Sequence, residues 1–324
     1  MRLRTAAPPF VREGPTVGSM LGWTSFALCA LLVIPAARYG PRPLAVAGAS
    51  VLACALCECL ANLLRGKGPA LSDGSSAVTG LICALMMPLN APAWLPCAAG
   101  AFAVLVAKAP FGGFGRNPFN PAAAGVSFAA LCWPDLVSAC FDPAKPYALP
   151  AFGAAVFERG ETPASVLKNG LKPDILPLDL LWGTAPGALG TGAALVLCAC
   201  ALLLFFTRSA HWEGAAGFLA SAALLAALFP RIACGPLTSV KYELLSGALL
   251  FSAVFLAADP VTSPRMPAGR FCFGALAGAL LMAFRRFGAA EADAGFAVLA
   301  ADAAVPLIDA LSEKFRGWEA KPHG

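Results

Sequence analysis

Long apolar runs are the feature that most limits what this chain can fold into. Nearly uninterrupted apolar stretches cover residues 21–36, 44–64, 188–206 and 244–258. Runs of this length lack the alternation of a half-buried strand and are typical of segments that cross a lipid bilayer. Charged residues make up only 13% of the 324 residues, about half of the share that is usual in soluble domains. The sequence therefore predicts an all-α polytopic membrane protein.

Hydropathy along the chain predicts about ten transmembrane helices. They lie near residues 20–37, 43–64, 76–89, 92–108, 121–137, 186–206, 212–229, 243–258, 270–285 and 290–310. The third, fourth and fifth are short and interrupted by prolines, which leaves half-helices or re-entrant pieces open for two of them. The predicted domains are an N-terminal segment 1–19, a first membrane repeat 20–137, a loop 138–185, a second membrane repeat 186–310 and a tail 311–324.

The two halves of the chain share a weak internal similarity. Residues 79–131 and 246–301 both run from a small-residue helix through a proline-containing turn into a Gly/Ala-rich helix and a further small-residue helix. Five spans in each half would invert the halves relative to each other, as in many transporter folds. Small-residue helix packing alone also produces some of this similarity. We predict two inverted five-helix repeats.

The distribution of basic residues predicts the orientation in the membrane. With both termini in the cytoplasm, the inner segments carry about twice as many Lys and Arg residues as the outer loops. The outer loops then hold Arg38, Arg42, Arg231, Lys241, Arg285 and Arg286. The net charge of +5 is explained by this topology, so no nucleic-acid partner is predicted. The expected location is the inner (cytoplasmic) membrane, with loop 138–185 outside.

The twelve cysteines suggest a metal or redox role at first sight. Nearly all of them lie inside predicted spans, where cysteine packs as a small apolar residue. Helical geometry also spreads Cys54, Cys57 and Cys59 around the helix axis, so no metal site is predicted there. A cluster-ligand role and a disulfide framework remain the alternatives.

Four sequence blocks resemble a known family. They are SDGSSAVTGLICALMMP (72–88), FGGFGRNPFNPAAAG (111–125), ELLSGALLFSAVFLAADPVTSP (243–264) and VPLIDAL (305–311). In order and spacing, residues 44–311 resemble the D subunit of the Rnf complex and its paralogue, the B subunit of the sodium-pumping NADH:quinone oxidoreductase. The resemblance implies a membrane subunit of an ion-translocating ferredoxin:NAD oxidoreductase complex, assembled with the A, B, C, E and G subunits of the Rnf complex.

The same resemblance implies an FMN that a flavin transferase esterifies through its phosphate to a threonine. The matching residue is Thr162 in the outer loop, preceded by Gly160. Three positions depart from the family pattern: Arg159 and Glu161 stand where the family has small residues, and Val156 stands where it has an acidic residue. Glu158, two positions later, is a candidate substitute for that acid. Loss of the attachment site is therefore the main alternative.

The local sequence around Thr162 also has a purely structural interpretation. Threonine followed by Pro163, with Gly170 further on, predicts a short helix that begins at an N-cap and ends at a glycine. Capping and flavin attachment are compatible, because a phosphate near a helix N-terminus meets free backbone N–H groups. The sequence alone leaves both roles open.

A second predicted cofactor site is the loop that contains Asn117 and Asn120. Its glycines allow close backbone approach, and the two amides offer hydrogen-bond donors and acceptors. From the residues alone, a rigid Asn-Pro turn that caps the fifth helix is favoured. The resemblance adds a non-covalent riboflavin at this loop, because the related sodium-pump protein holds one at the corresponding place.

Glu58 is the most suggestive charge inside a predicted span. A carboxylate at that depth is costly unless it is paired, protonated or functional. The resemblance implies a role in the sodium or proton pathway, because a matching glutamate of the paralogue is associated with ion uptake. The alternative is a protonated or structurally paired glutamate with a partner such as Arg65. Asp73, Asp259 and Asp309 are interpreted as turn, cap or pairing residues.

Gly183, Gly187 and Gly190 match a glycine-rich block of the family. They would allow the sixth span to start close to a flavin, or they would serve tight helix packing. The sequence contains no nucleophile–base pair, zinc-ligand spacing or phosphate-binding loop, and it has only two histidines. The expected activity is therefore electron relay coupled to ion transport within a complex. The alternative is a cofactor-free channel or transporter of the same inverted-repeat architecture.

Overall fold

The computed structural model describes residues 15–66, 74–140, 160–183, 185–232, 235–288 and 293–319. Within these ranges all regular secondary structure is helical, and one isolated antiparallel bridge joins Pro88 to Ala188. The sequence expectations for Asp73, Val156, Glu158 and Arg159 lie outside the described residues, as does most of the predicted segment 1–19.

The helices of the described residues lie close to the predicted spans in most places. The first half contains α1 (Val17–Tyr39), α2 (Arg42–Leu64), α3 (Ser75–Leu85), α4 (Trp94–Phe102) with a π-helical continuation Ala103–Lys108, α5 (Pro121–Cys132) and α6 (Pro134–Ser138). The second part contains α7 (Pro163–Lys168), α8 (Pro177–Trp182), α9 (Ala194–Phe206), α10 (Trp212–Leu228), α11 (Pro236–Leu245), α12 (Leu249–Phe255), α13 (Pro267–Phe287) and α14 (Asp293–Glu319).

Four of the described helices are long and apolar enough to cross a membrane. They are α1, α2, α13 and the Ala294–Lys314 part of α14, and α11 with α12 forms a fifth span if the bent pair is taken as one. Five further apolar helices are shorter, among them α3, α5 and α9. The chain is thus a multi-pass, all-helical membrane protein, as the sequence predicted. The ten-span inverted repeat stays a prediction.

Two predicted spans were wrong in detail. The span predicted over 186–206 begins as a helix only at Ala194. Before it, Ala188 forms the isolated bridge with Pro88, and the N–H groups of Leu189 and Gly190 donate to the carbonyls of Met87 and Leu85. The span predicted over 243–258 is broken into α11 and α12 with a bend of 61°. At this break Gly247 has φ +62°, a left-handed conformation that favours glycine.

The end of α3 is a second break, in one of the three proline-interrupted spans for which the sequence left half-helices or re-entrant pieces open. Backbone after Leu85 turns back towards α4, and its carbonyl groups are satisfied from elsewhere in the fold. The buried Arg42 guanidinium donates to the carbonyls of Leu89 (2.9 Å) and Ala91 (3.1 Å). The N–H of Gly190 donates to the Leu85 carbonyl at 2.7 Å. Such satisfaction is what allows non-helical backbone within a membrane protein.

Helices α10 and α13 pack through glycines that bring their backbones into direct contact. A Cβ atom on Gly274 would overlap the carbonyl oxygen of Gly214, and one on Gly278 would overlap that of Phe218. Neither position therefore has room for a side chain. Close approach of this kind is how small residues stabilise helix pairs without a hydrophobic driving force.

We expect Gly274→Ala to destabilise the fold by about 1–3 kcal/mol, because the new methyl group forces α10 and α13 apart. Gly48→Ala is the matched control, since a Cβ there meets nothing within 4 Å. That control should be neutral or slightly stabilising, because alanine is the better helix former. Thermal unfolding of the two purified variants measures the difference. Equal midpoints would contradict this account of the interface.

Contacts between loops group the basic residues as the predicted topology does. Arg38 donates to the carbonyl of Gly183 at 2.8 Å, and Arg231 donates to the carbonyl of Arg285 at 3.0 Å. All of these residues belong to predicted outer segments. At the opposite, predicted inner segments, the N–H of Arg265 donates to Asp309 at 3.0 Å. The side of the membrane on which each group lies stays a prediction.

Candidate functional site: a polar cavity and the outer loop

A cavity of about 400 Å³ lies among α1, α3, α5, α9 and α12. Most of its lining is apolar, and polar side chains converge on it from several elements. The polar lining residues are Thr24, Ser75, Thr79, Lys108, Asn117, Asn120, Ser209 and Asp259. A mostly apolar cavity with a few convergent polar groups is the usual form of a small-molecule site.

Lys108 forms a buried ion pair with Glu58 on the cavity wall. Its Nζ lies 2.5 Å from Glu58 Oε1 and 2.6 Å from Ser75 Oγ. The two charged side chains are only 3% and 12% exposed. The structural partner of Glu58 is thus Lys108, whereas Arg65, which the sequence suggested, is exposed at the end of α2. Lys108 was not predicted as a site residue, because in the sequence it looks like an ordinary basic residue at the end of a span.

The π-helical segment Ala103–Lys108 explains how Lys108 comes to face inward. The N–H of Ala109 bonds to the carbonyl of Val104 at 2.8 Å, five residues back. A π-turn shifts the angular register of the residues that follow relative to an α-helix, and such turns are frequent at functional sites. Here the shift accompanies the burial of a lysine between α2 and α3.

Asn120 has the structural role that the sequence favoured. Its Oδ1 accepts the N–H groups of Ala122 (3.1 Å) and Ala123 (3.2 Å), which caps α5. Its own N–H donates to the buried carboxylate of Asp302 on α14 at 2.8 Å. The N-cap prediction is therefore confirmed, and the Asn120 side-chain oxygen is already used by the cap.

Asn117 differs from Asn120 in that its side-chain oxygen does not cap a helix. Its Nδ2 donates to the carbonyl of Phe119 at 3.0 Å. Its buried Oδ1 has no hydrogen-bond partner among the residues that the structure describes. A buried unsatisfied acceptor costs free energy unless a ligand or water donates to it. Of the two predicted asparagines, Asn117 therefore fits a ligand in the cavity.

Asp259 contributes a carboxyl group from the turn that follows α12. Removal from water raises its pKa to about 6, and hydrogen bonds from Val261 and Thr262 oppose that rise. The Thr262 hydroxyl donates to Asp259 Oδ2 at 3.2 Å. Asp259 therefore serves the turn, as its sequence context indicated, and also lines the cavity.

Thr162 is the N-cap of α7, and this prediction is confirmed. Its Oγ1 accepts the N–H of Ser165 at 3.1 Å, and Pro163 occupies the first helical position. The threonine is 4% exposed. The N–H of Gly160 bonds to the carbonyl of Cys140 at 2.9 Å, so the residues just before Thr162 lie beside the end of the first half.

The segment 160–183 is docked on the second half of the molecule by a small apolar cluster. Leu167 of α7 and Leu180 of α8 pack with Ile232 and Tyr242. The Tyr242 hydroxyl also donates to the carbonyl of Ile175 at 3.1 Å. The segment around Thr162 is therefore held against α11.

A buried charge network lies beneath this docked loop. Both carboxylate oxygens of Glu243 accept from Arg231, at 2.5 and 2.7 Å, and Oε2 also accepts from Arg285 at 3.2 Å. Arg285 further donates to the carbonyl of Ser246 at 2.9 Å, within the break between α11 and α12. This network was not predicted, because the sequence placed both arginines in outer loops and gave Glu243 no role.

The glycine-rich block packs tightly against α3. A Cβ atom on Gly190 would lie 2.8 Å from Leu85 Cβ and 3.0 Å from a ring carbon of Phe251. Gly183 has φ +78°, and a Cβ there would lie 2.7 Å from the backbone of Gly192. Gly187 lines a small adjoining pocket with Arg38. Of the two explanations offered for these glycines, the described contacts support close packing.

Comparison with known proteins decides the family. A family model described as NQR2, RnfD, RnfE matches residues 4–316. The chain belongs to the NQR2, RnfD, RnfE family. It is 30% identical over 342 aligned positions to the D subunit of the ion-translocating oxidoreductase complex of Tolumonas auensis, covering 97% of this chain and 98% of that protein. Proteins of the same name are 32% identical in Escherichia coli O1:K1 / APEC and 33% identical in Shigella boydii serotype 18, each covering 78% of this chain and 81% of the relative.

The NQR2, RnfD, RnfE fold of this chain distributes the predicted site residues over separate places. Asn117 and Asn120 lie on the cavity, and Lys108 connects that cavity to Glu58. Thr162 lies at the start of α7, which packs against α11, and Gly190 packs on α3. The chain thus presents two candidate regions, the polar cavity and the docked loop.

Proposed function

We propose that this chain is the membrane-embedded D subunit of an ion-translocating oxidoreductase complex of the Rnf type. The observation that carries the proposal is family membership across residues 4–316, together with relatives of that name along nearly the whole chain. The partners are the A, B, C, E and G subunits of the Rnf complex, with ferredoxin and NAD as the electron carriers of the complex. The location is the inner membrane, with both termini in the cytoplasm.

The proposed architecture consists of two inverted five-helix repeats. Its support is that helices at matching positions in the two halves contact each other, α1 with α9 and α5 with α14. Matching pairs also pack within each half, α2 with α4 and α10 with α13. Each half contains a break in the backbone, after α3 and between α11 and α12. The polar cavity then lies between the repeats, where transporter folds place their sites.

The proposed cofactors are a covalent FMN on Thr162 and a non-covalent riboflavin in the cavity. Bound flavins supply one- and two-electron transfer, while the protein supplies orientation and electrostatics. Asn117 would accept a hydrogen bond at the cavity wall, because its Oδ1 is buried without a partner among the described residues. Thr162 is 4% exposed, so we place flavin attachment before the loop docks on α11, when a transferase reaches the hydroxyl.

Glu58 is the residue that we assign to the ion route. A carboxylate that is 12% exposed and paired with Lys108 holds a negative charge at a depth where charges are costly. Two roles would account for a charge kept at this cost: a structural ion pair with Lys108, or the binding of a translocated cation. Ion translocation by relatives of this name favours the second.

The experiment that tests the proposal uses the assembled complex in proteoliposomes. We expect Glu58→Gln to lower ion uptake at least about tenfold, because a neutral amide no longer attracts a cation (tenfold corresponds to 1.4 kcal/mol). Glu213→Gln is the matched control, because its ion pair with Arg270 is longer, at 3.8 Å, and more exposed. Ion uptake and electron transfer are measured side by side. Unchanged uptake in Glu58→Gln would remove this residue from the ion route.

A further inference from the structure

We infer that Lys108 is a tethered cation that competes with a translocated sodium ion for the oxygens of Glu58 and Ser75. The inference rests on the proposed ion-route role of Glu58 and adds a residue to it. In this arrangement the Lys108 ammonium occupies the site in the absence of sodium, and sodium entry displaces it towards the cavity.

The geometry around Lys108 Nζ resembles a cation site built from oxygens. A carboxylate oxygen lies at 2.5 Å and a hydroxyl oxygen at 2.6 Å, contributed by α2 and α3. Carboxylate and hydroxyl oxygens are ligands that hard cations prefer. The ammonium group is itself a compact point charge. A desolvated sodium ion would meet the same ligands in the same place.

The Glu58 carboxylate is not saturated by the lysine. Its second oxygen, Oε2, is buried and has no hydrogen-bond partner among the described residues. A fixed structural ion pair usually satisfies all of its polar atoms, because an unsatisfied buried acceptor is costly. A cation that the carboxylate binds through both oxygens would use this second oxygen.

Lys108 also has a polar place to move to. It lines the cavity of about 400 Å³ together with Asn117 and Asp259. The lysine stem is flexible and carries three donors, so its head group can change partners without a backbone shift. Displacement therefore transfers the ammonium from one polar environment to another, with the Asn117 and Asp259 oxygens as acceptors.

Charge makes the two cations mutually exclusive. Two unit charges a few ångströms apart in a poorly solvated site repel each other strongly. One carboxylate, Glu58, neutralises only one of them, and Ser75 is uncharged. Sodium binding at Glu58 therefore requires Lys108 to leave, and the return of Lys108 would expel the sodium ion.

The test is sodium binding by the purified full-length chain, measured with ²²Na⁺ at constant ionic strength in choline chloride. We expect Lys108→Met to lower the half-maximal sodium concentration at least about tenfold, because the internal competitor is gone. Lys241→Met is the control, since Lys241 is an exposed lysine of α11. The double variant Lys108→Met/Glu58→Gln should show no saturable binding. If Lys108→Met does not fold, Lys108→Gln should give the same change, because its amide is neutral.

A second measurement uses the wild-type chain. Sodium should increase acylation of Lys108 by an amine-specific reagent, read by mass spectrometry, whereas Glu58→Gln should make the labelling independent of sodium. Labelling that ignores sodium in the wild type would overturn the competition. Sodium binding that is lost in Glu58→Gln but unchanged in Lys108→Met would also overturn it, and would leave the ion route intact. Saturable binding that survives Glu58→Gln would instead refute the proposed role of Glu58.

Discussion

Thr162→Ala should abolish the flavin-fluorescent band of this chain on a denaturing gel. The hydroxyl oxygen of Thr162 is the atom that would carry the phosphoester, and alanine has no replacement for it. Loss of the N-cap on α7 costs about 1 kcal/mol, which leaves the loop held by its apolar contacts. The variant should therefore remain folded, and the missing band would report attachment itself. The measurement requires co-expression with a flavin transferase.

Two control variants separate attachment from folding. Thr162→Ser keeps a hydroxyl and the cap to Ser165, and should keep the band. Thr191→Ala removes a threonine of the neighbouring glycine-rich block, whose hydroxyl donates to Ala188 at 3.0 Å, and should also keep the band. A band that persists in Thr162→Ala, or that is absent from the wild type with transferase present, would refute covalent FMN. If gentle purification also yields no non-covalent flavin, the cofactor-free transporter becomes the better interpretation.

Glu243→Gln should be the most destabilising of the substitutions considered, by about 3–5 kcal/mol. Glu243 is 1% exposed and pairs with both Arg231 and Arg285, which are 9% and 7% exposed. Glutamine keeps the shape and removes the charge, so two buried guanidinium groups lose the carboxylate that they share. At the break between α11 and α12, Arg285 also donates to the carbonyls of Glu243 and Ser246. Thermal unfolding in detergent measures the effect.

The matched control for this prediction is again Glu213→Gln. The Glu213–Arg270 pair is 3.8 Å long and about one fifth exposed on each side, so its loss should cost less than about 1 kcal/mol. Arg285→Met tests the network from the other side. It removes the donor to the Ser246 carbonyl and should destabilise the break. Equal unfolding midpoints for Glu243→Gln and Glu213→Gln would show that the network contributes little to stability.

Local signals in the sequence predicted the helices and their caps well. The hydropathy profile located α1, α2, α10 and α13, because a membrane-exposed helix must be apolar over its own length. The caps at Thr162 and Asn120 were predicted because capping involves residues within three positions of each other. The prolines of the third to fifth spans left broken helices open there for the same local reason, and the break after Leu85 is one such place.

Contacts between segments that are distant along the chain could not be predicted from the sequence. The span over 243–258 is one apolar run in the sequence, yet it breaks at Gly247 because Arg285, about forty residues later, satisfies the exposed carbonyls. The late start of α9 at Ala194 likewise depends on bonds from the glycine-rich block to Leu85 and Met87. A hydropathy profile counts only residues that are neighbours along the chain.

The long apolar runs determined by themselves that this chain is a multi-pass helical membrane protein, and four blocks indicated its family. Only the tertiary structure decided that Glu58 pairs with Lys108, fifty residues away, on the wall of a cavity that also holds Asn117. The physical reason is that transfer free energy into a bilayer adds up residue by residue along a helix. The stability of a buried charge depends instead on the partner that folding brings to it.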